Sequence, residues 1–350
     1  MTYRPLLRWK RGEQSAVANL SPQLKRETLP LLTLTGHSYN PASGATVDAA
    51  FDARIAQDAE RLRTAWAGHR ISVDFDAIDP DAECEGGCQP IHRFFDGLAG
   101  EVDARPVLRA TSDPRFIEAV AGFDVPPTIR LTPDDLADPA IAGIIDSQLE
   151  ACGAAPGDCD LVVDLSYIAT PGRSTITAQG ALNAVPYLEQ WDSVTLASGS
   201  FPENLSQYAV GSHLVQRIEW EVWQAVRAAT EIPVLYGDYT TIHPIPVEEG
   251  LDPRTMNPSA SVRYTYEGNW LLLRGEGTRN RGGPGFMQFQ THADSLVRRP
   301  EYRGEAFSYG DERIARIHRR EDRAGNLETW VTIGVNHHIA EIVGQLAILP

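Results

Sequence analysis

The chain has 350 residues, of which 42% are hydrophobic and 22% are charged, and its formal net charge is -16. This length and composition are typical of a globular protein with a sizeable core. No apolar run reaches the ~20 residues of a membrane span, so we expect a cytoplasmic protein that does not enter a membrane. The negative charge argues against a nucleic-acid ligand, because non-specific binding rests on Lys and Arg that neutralise phosphates.

Short β-rich runs alternate with amphipathic stretches over the first two-thirds of the chain. The predicted strands cover residues 3–9, 29–34, 70–75, 105–109, 127–131, 160–165, 193–197 and 233–237. The predicted helices between them lie near 12–26, 48–67, 90–100, 114–122, 133–152, 175–191 and 210–229. The helix near 48–67 has the clearest pattern, since Phe51, Ile55 and Leu62 belong to one apolar stripe with three- and four-residue steps.

The regular alternation of these elements predicts the fold. Eight β/α units at intervals of roughly 25–40 residues are expected for a barrel of parallel strands. Parallel strands that are buried on both faces read as short apolar runs, as these do. No G-x-G-x-x-G follows the first strand, which argues against a doubly wound sheet. We therefore predict an α/β fold, a TIM-like (β/α)8 barrel.

The pattern changes after the eighth strand. The predicted elements are strands at 262–266 and 270–274, helices near 286–297 and 310–317, and a last helix that begins near Val335. The two strands flank Glu267-Gly268-Asn269, which is typical of a β-hairpin. We interpret 250–330 as an insertion in the last β/α unit of a single domain that covers residues 1–350.

Candidate ligand-binding residues follow from the barrel, because active sites of this fold lie at the C-terminal ends of the strands. The candidates are Lys10, Arg11, Glu13, Arg109, Arg130, Asp164, Ser200, Asp238 and Tyr239, with His337 and His338 from the last helix. Lys10, Arg109 and Arg130 could hold a phosphate or carboxylate, since Arg supplies a planar fork of donors. The same charges could instead pair with one another across the barrel mouth in a structural network.

Carboxylates at the strand ends also suggest a metal. Asp74, Asp76, Asp164 and Asp238 are the candidate ligands, and Mg²⁺ or Mn²⁺ would suit them because hard cations take oxygen ligands. His337 and His338 are a poor metal pair, since adjacent helical residues point about 100° apart. Capping and packing are favoured for them. The sequence contains no H-E-x-x-H, G-x-S-x-G or P-loop, so no catalytic residue is assigned.

Short segments spread over the whole chain carry a family resemblance. They are K-R-G-E (Lys10 to Glu13), G-S-F-P (Gly199 to Pro202), E-W-x-x-W (Glu219 to Trp223), G-D-Y-T (Gly237 to Thr240), R-Y-T (Arg263 to Thr265), W-x-x-x-R-G (Trp270 to Gly275), S-Y-G-D (Ser308 to Asp311) and N-H-H-I (Asn336 to Ile339). With these segments the chain resembles the phage and phage-satellite Beta protein family. The resemblance carries no established set of catalytic residues.

What the resemblance implies is a biological context. The satellite-phage member is similar in kind to an antidote, from a small operon that also encodes a host-killing protein and looks like anti-phage defence. We therefore expect a regulator that controls a toxic protein partner encoded by a neighbouring gene, with ligand sensing at the strand ends. The alternative is a metal-assisted phosphoester hydrolase, with the four aspartates as metal ligands and Lys10 or Arg109 on the phosphate. A scaffold with a degenerate barrel mouth is the third hypothesis.

Overall fold

Eight parallel strands close into a barrel in the computed structural model, which describes residues 1–41, 47–246 and 256–349. The barrel strands are β1 (Tyr3–Arg8), β2 (Leu31–Thr33), β3 (Arg70–Asp74), β4 (Asp103–Arg109), β5 (Thr128–Leu131), β6 (Asp160–Tyr167), β7 (Ser193–Gly199) and β9 (Val234–Asp238). Each strand pairs in parallel with its neighbour, and β9 pairs with β1 to complete the ring. The predicted α/β barrel is confirmed.

Helices surround the barrel and join its strands. They are α1 (Arg11–Ala18), α2 (Pro22–Glu27), α3 (Ala49–Trp66), α4 (Pro90–Leu98), α5 (Pro114–Ala121), α6 (Pro133–Ala137), α7 (Ile141–Ala151), α8 (Pro171–Ala184), α9 (Ile218–Ala229), α10 (Gln288–Leu296), α11 (Tyr309–His318) and α12 (Leu327–Ala347). Helix α3 begins where the Asp48 carboxylate accepts the N–H groups of Ala50 and Phe51. Its predicted apolar stripe is fully buried against the barrel. Within the described ranges, no helix is both long and apolar enough to cross a bilayer.

Layers of side chains fill the inside of the barrel. At the amino-terminal end, the buried Arg4 guanidinium lies 3.3 Å from Asp160 and donates to Thr195 and Ser72. The middle layer is apolar and comprises Leu6, Leu31, Val107, Val162 and Ala197. Because side chains alternate along a strand, the residue two positions after each of these points inward at the carboxyl-terminal end. This two-residue period brings Arg109 and Asp164 to the barrel mouth.

A second sheet lies outside the barrel. It consists of β8 (Gly211–Gln216), β10 (Ser259–Tyr266) and β11 (Asn269–Gly277), antiparallel and in the order β10-β11-β8. Its apolar residues form a separate core with α10, α11 and the first half of α12, in which Phe289 stacks on Trp330. The division into one domain with an insertion at 250–330 stays a prediction, and residues 250–255 of that insertion lie outside the described ranges.

Helix α12 joins this second core to the barrel. The part of α12 from Val335 onwards contributes Val335, Ile339 and Ile342 to the barrel core. It is also tied to α1 by two hydrogen bonds, from Thr332 Oγ1 to the carbonyl of Gly12 (2.9 Å) and from Asn336 Nδ2 to the carbonyl of Ala16 (3.0 Å). The first and the last helix of the chain therefore pack side by side.

Four helix predictions are corrected. The helix predicted near 210–229 begins only at Ile218, because 211–216 form an edge strand with Val215 buried and Leu214 exposed. The last helix begins at Leu327 rather than near Val335. The Asn326 side chain caps its start by accepting the N–H of Thr329. The helices predicted near 12–26 and 133–152 are each two helices. Ser21 caps a new helix at α2, and the second break falls at 138–140.

Candidate functional site

The centre of the barrel mouth is filled by an ion network around Arg130, at the end of β5. The Arg130 guanidinium lies 2.7 Å from Asp74 and 2.5 Å from Asp164. It also donates to the Tyr239 hydroxyl (2.9 Å), which in turn donates to Asp164 (2.6 Å). Arg130 is 8% exposed, and both carboxylates are less exposed than that. The mouth network therefore brings four predicted candidates together, since Asp74, Asp164 and Tyr239 all contact Arg130.

Arg109 extends the mouth network towards solvent. Its guanidinium lies 2.7 Å from Asp74 and 3.3 Å from Asp76, and its side chain is 24% exposed. Burial raises the pKa of Asp74, but Arg130 and Arg109 outweigh burial and hold that pKa below its usual value. Asp74 is thus an ionised carboxylate between two cations. This arrangement matches the structural network that the sequence left open as an alternative.

The four candidate metal ligands do not converge on one point. Asp74 and Asp164 are engaged by Arg130, and the Asp76 side chain is 50% exposed beside Arg109. Asp238 lies on the other side of the barrel wall, since a Cβ at the preceding Gly237 would meet Thr195 and Ala197 inside the barrel. Within the described residues, no three His, Cys, Asp or Glu side chains form a group that could hold a metal ion. The predicted aspartate set does not fit Mg²⁺ or Mn²⁺ as a single site.

Asp238 forms the centre of a second buried network, between the barrel wall and α12. Its carboxylate accepts hydrogen bonds from the hydroxyls of Tyr3 (2.5 Å) and Tyr236 (2.7 Å). His338 Nε2 lies 2.9 Å from it and Arg217 lies 3.5 Å away. Burial raises the pKa of Asp238, but His338 and Arg217 outweigh it and bring the pKa to about 2. Asp238 and His338 therefore attach α12 to the barrel.

His337 points away from His338, into the second core. Its Nδ1 lies 2.8 Å from the Asp311 carboxylate, its Nε2 lies 2.8 Å from the carbonyl oxygen of Thr265, and its ring stacks on Tyr264 at 3.8 Å. Burial lowers the pKa of His337, but Asp311 outweighs burial and raises it above its usual value. Both rings are fully buried. They pack between elements and do not line an open site.

Ser200 is also a buried structural residue. Its hydroxyl donates to the Glu219 carboxylate (2.5 Å) and accepts the N–H of Ile218 (3.0 Å) at the start of α9. The pKa of Glu219 is raised to about 7 because burial disfavours its ionised form. Ser200 thus orients the first turn of α9.

The remaining candidates Lys10, Arg11 and Glu13 line an open cavity of about 730 Å³ at the ends of β1 and β2, which we call the β1–β2 pocket. Its lining residues are Arg8, Trp9, Lys10, Arg11, Gly12, Glu13, Gln14, Thr35, Gly36, His37, Arg54, Gln57, Asp58, Arg61, Ile242, Glu328 and Val331. Five of these side chains are cations and three are carboxylic acids. The pocket is therefore rich in cations although the chain as a whole is acidic.

Two of these cations are unpaired. The side chains of Lys10 and Arg11 are exposed and make no hydrogen bond or ion pair within the described part of the chain. Arg8, in contrast, donates to the carbonyl groups of His243 and Pro244, and Arg61 lies 3.3 Å from Asp58. Lys10 and Arg11 are thus available to a ligand.

Glu13 is buried at the base of the β1–β2 pocket. Burial raises its pKa to about 7, although its carboxylate accepts the N–H of Arg8 (3.3 Å). A raised pKa means that the folded protein holds this proton more tightly than the unfolded chain does. Ionisation of Glu13 therefore removes stability as the pH rises from 4.5 to about 7, and above that range the loss is constant.

We expect Glu13→Gln to remove this loss. Gln keeps the oxygen that accepts the Arg8 N–H but cannot ionise. The free energy of unfolding of the variant, relative to that of the wild type, should therefore increase by about 2–3 kcal/mol as the pH is raised from 5 to 8. Urea unfolding at both pH values measures the gain. Glu231→Gln, at an exposed position, is the matched control and should change neither value. An equal stability difference between Glu13→Gln and the wild type at both pH values would contradict the prediction.

A smaller pocket of about 240 Å³ lies between the ends of β3 and β4. Arg109 and Arg115 line it together with Asp74, Asp76 and Asp113. Here the charges are paired, since Arg109 contacts both Asp74 and Asp76, and Arg115 contacts Asp113. This pocket therefore leaves less free positive charge than the β1–β2 pocket.

The strand-end rule missed the residues that α3 contributes to the β1–β2 pocket. Arg54, Gln57, Asp58 and Arg61 all line it. They recur at positions i, i+3, i+4 and i+7 and form a polar stripe beside the apolar one. The signal was thus present in the sequence, in a helix rather than at a strand end.

Comparison with known proteins gives one finding. The family model described as Beta protein matches residues 3–344, nearly the whole chain. Among curated proteins, none matches this sequence. The matched range includes both networks and the β1–β2 pocket.

Proposed function

The chain belongs to the Beta protein family, and from that premise we propose that it is a cytoplasmic regulator in anti-phage defence. In this role it inhibits a toxic partner protein that a neighbouring gene encodes, and it senses a ligand at the barrel mouth. The observation that carries the ligand part is the β1–β2 pocket, where Lys10 and Arg11 are exposed and unpaired. Free cations in an open cavity favour recognition of a small charged molecule.

The mouth network supports binding rather than turnover. A general acid or base must come within about 3 Å of the group that reacts. Asp164 and Tyr239 are buried and hydrogen-bonded to each other and to Arg130. Their polar atoms are therefore occupied by protein, which favours a rigid floor over a reaction centre.

The second sheet offers a surface for the partner. We propose that β10 and β11 belong to the insertion at 250–330 within a single domain, and β8 pairs with β11 from outside that insertion. Strand β8 lies at its edge, and Val210 and Leu214 are each 60% exposed. Edge strands have unpaired backbone groups that can pair with a strand of another chain. We propose that the partner binds along β8.

A toxicity rescue tests the regulator. We expect the product of the neighbouring gene to arrest bacterial growth when expressed alone, and co-expression of this chain to restore growth. Leu214→Glu should abolish rescue and co-purification, because it adds a charge to the proposed contact. Ile176→Glu, at a position on α8 that is 72% exposed, is the matched control and should rescue. If the wild type neither rescues nor co-purifies with the product, the regulator proposal is wrong.

The hydrolase hypothesis gains less from the geometry. Its four aspartates do not converge, Arg109 is engaged by Asp74 and Asp76, and Lys10 lies in a separate pocket from them. Turnover of a phosphodiester substrate with Mg²⁺ or Mn²⁺, abolished by Asp164→Asn, would favour the hydrolase over the regulator.

A further inference from the structure

We propose that the β1–β2 pocket binds an organic phosphate, a small molecule that carries a phosphate or pyrophosphate group. The inference rests on the proposed ligand sensing and names the chemical class of the ligand. Four features of the pocket support it. They are the unsatisfied polar atoms of the lining residues, the positive charge of the pocket, the N-terminus of α1 that opens into the pocket, and the volume of the pocket.

Three buried polar atoms without a hydrogen-bond partner in the described part of the chain belong to residues that line this pocket. They are Thr35 Oγ1, His37 Nδ1 and Arg54 Nε. A buried donor or acceptor without a partner costs about 1–3 kcal/mol, so such atoms are rare in folded proteins. Their gathering at one cavity indicates that a polar ligand completes them.

The identity of these atoms favours a phosphate. His37 is 8% exposed, its Nε2 lies 2.8 Å from the Asp58 carboxylate, and its Nδ1 has no partner within the described ranges. Arg54 Nε is a donor only. A hydrogen phosphate group has both O–H and anionic oxygens and can satisfy both atoms. An ionised carboxylate only accepts, whereas a hydrogen phosphate both donates and accepts, so the phosphate can satisfy His37 Nδ1 whether that atom is a donor or an acceptor.

The charge of the pocket fits the same ligand. Lys10 and Arg11 are free at its rim, and Arg54 has one guanidinium nitrogen bonded to the carbonyl of Ser38 (2.8 Å) while its Nε has no partner. Charge-assisted hydrogen bonds to phosphate are about twice as strong as those between neutral groups. Three cations thus have donors available for a phosphate group.

The first turn of α1 adds backbone donors. This eight-residue helix begins at Arg11, and no side chain caps it at Lys10. Gly12 packs closely under α12, where a Cβ would lie 2.7 Å from Val331 Cγ1. An uncapped helix N-terminus has free N–H groups and a positive dipole end, which is a common phosphate site.

The size of the cavity indicates more than an inorganic ion. A volume of about 730 Å³ is within the range of small-molecule pockets, roughly 300–1,000 Å³. Ile242 and Val331 add apolar surface to its walls. The cationic part therefore suits the phosphate, and the apolar part suits the organic group attached to it.

Titration calorimetry on the full chain, with pyrophosphate and ADP as probes, tests the inference. We expect saturable binding of both, with ADP at least as tight because it also fills the apolar part. Lys10→Ala/Arg11→Ala should weaken it by at least about tenfold, as two charge-assisted contacts are lost. Both side chains are exposed and unpaired, so the variant should fold normally. Arg26→Ala/Arg298→Ala removes two exposed cations elsewhere and should bind as the wild type does.

Three results would overturn the inference. They are no binding of either probe, equal weakening in both double variants, and citrate binding as tight as that of pyrophosphate, which would indicate a general carboxylate or polyanion site. The partner assay with Leu214→Glu does not depend on the pocket. Rescue without phosphate binding would therefore reject this inference alone, whereas phosphate binding without rescue would reject the regulator.

Discussion

Arg130→Met is expected to lower the free energy of unfolding by about 3–5 kcal/mol, because it leaves Asp74 and Asp164 buried without the cation between them. Methionine is unbranched and replaces the aliphatic part of the Arg130 side chain, so most of the loss reports charge rather than a cavity. Chemical denaturation followed by circular dichroism at pH 7 measures it. Arg109→Met is the matched control at a side chain that is 24% exposed, and we expect a smaller loss there of about 1 kcal/mol.

The pH dependence separates this explanation from simple packing. The pKa of Asp74 lies below its usual 3.8, so the stability from its ionised form is present above that pH and is lost as the pH falls further. Without Arg130, burial raises the pKa of Asp74, so the variant takes up this proton at a higher pH than the wild type does, and the difference between the two proteins should shrink as the pH falls through that range. A loss under 1 kcal/mol at pH 7 would mean that water reaches the two carboxylates and that the mouth is more open than its geometry indicates.

Asp238→Ala should lower the free energy of unfolding by a similar amount, about 3–5 kcal/mol, through the contact between α12 and the barrel wall. It removes the acceptor of the Tyr3 and Tyr236 hydroxyls and the counter-charge of Arg217, all of them buried. Hydrogen exchange should show α12 losing protection first. Thr265→Val is the control, since it breaks only the contact of Thr265 with His338 (2.7 Å) and should cost about 1 kcal/mol.

Acid should remove the contribution of Asp238 in the wild type as well. Its folded pKa of about 2 is below the usual 3.8, so its stabilisation is complete above pH 4 and is lost as the pH falls from 4 towards 2. Asp238→Ala should lack this part of the acid transition. Equal slopes for wild type and variant over that range would show that Asp238 is not the group that titrates.

The barrel strands could be predicted because buried parallel strands leave short apolar runs in the sequence, with turn-forming residues between the runs. Strand β8 was not, since it lies at the edge of a small sheet and only Val215 among its residues is buried. Its partner β11 is more than 50 residues further along the chain. A pairing over that distance leaves no local pattern in the sequence. The predicted helix near 210–229 therefore covered β8 as well as α9.

The strand-end rule located Lys10, Arg11 and Glu13 but could not say which way other candidates face. Asp238 and Tyr239 are neighbours, yet Tyr239 points into the barrel and Asp238 points towards α12. In a strand that is buried on both faces, apolar residues occupy both sides, so the sequence does not reveal which positions face inward. The spatial neighbours determine these directions. Arg130 is the neighbour of Tyr239 and His338 is the neighbour of Asp238, and both are far away in the sequence.

The packing of α1 against α12 has a consequence for synthesis in the cell. Residues 320 positions apart meet where Thr332 bonds to the carbonyl of Gly12. A chain emerging from the ribosome therefore has the side of α1 that faces α12 uncovered until about 320 further residues have been made, at about 5–20 residues per second. For tens of seconds the nascent chain lacks the helix that covers α1, so chaperones and proteases have access to this apolar surface during that interval.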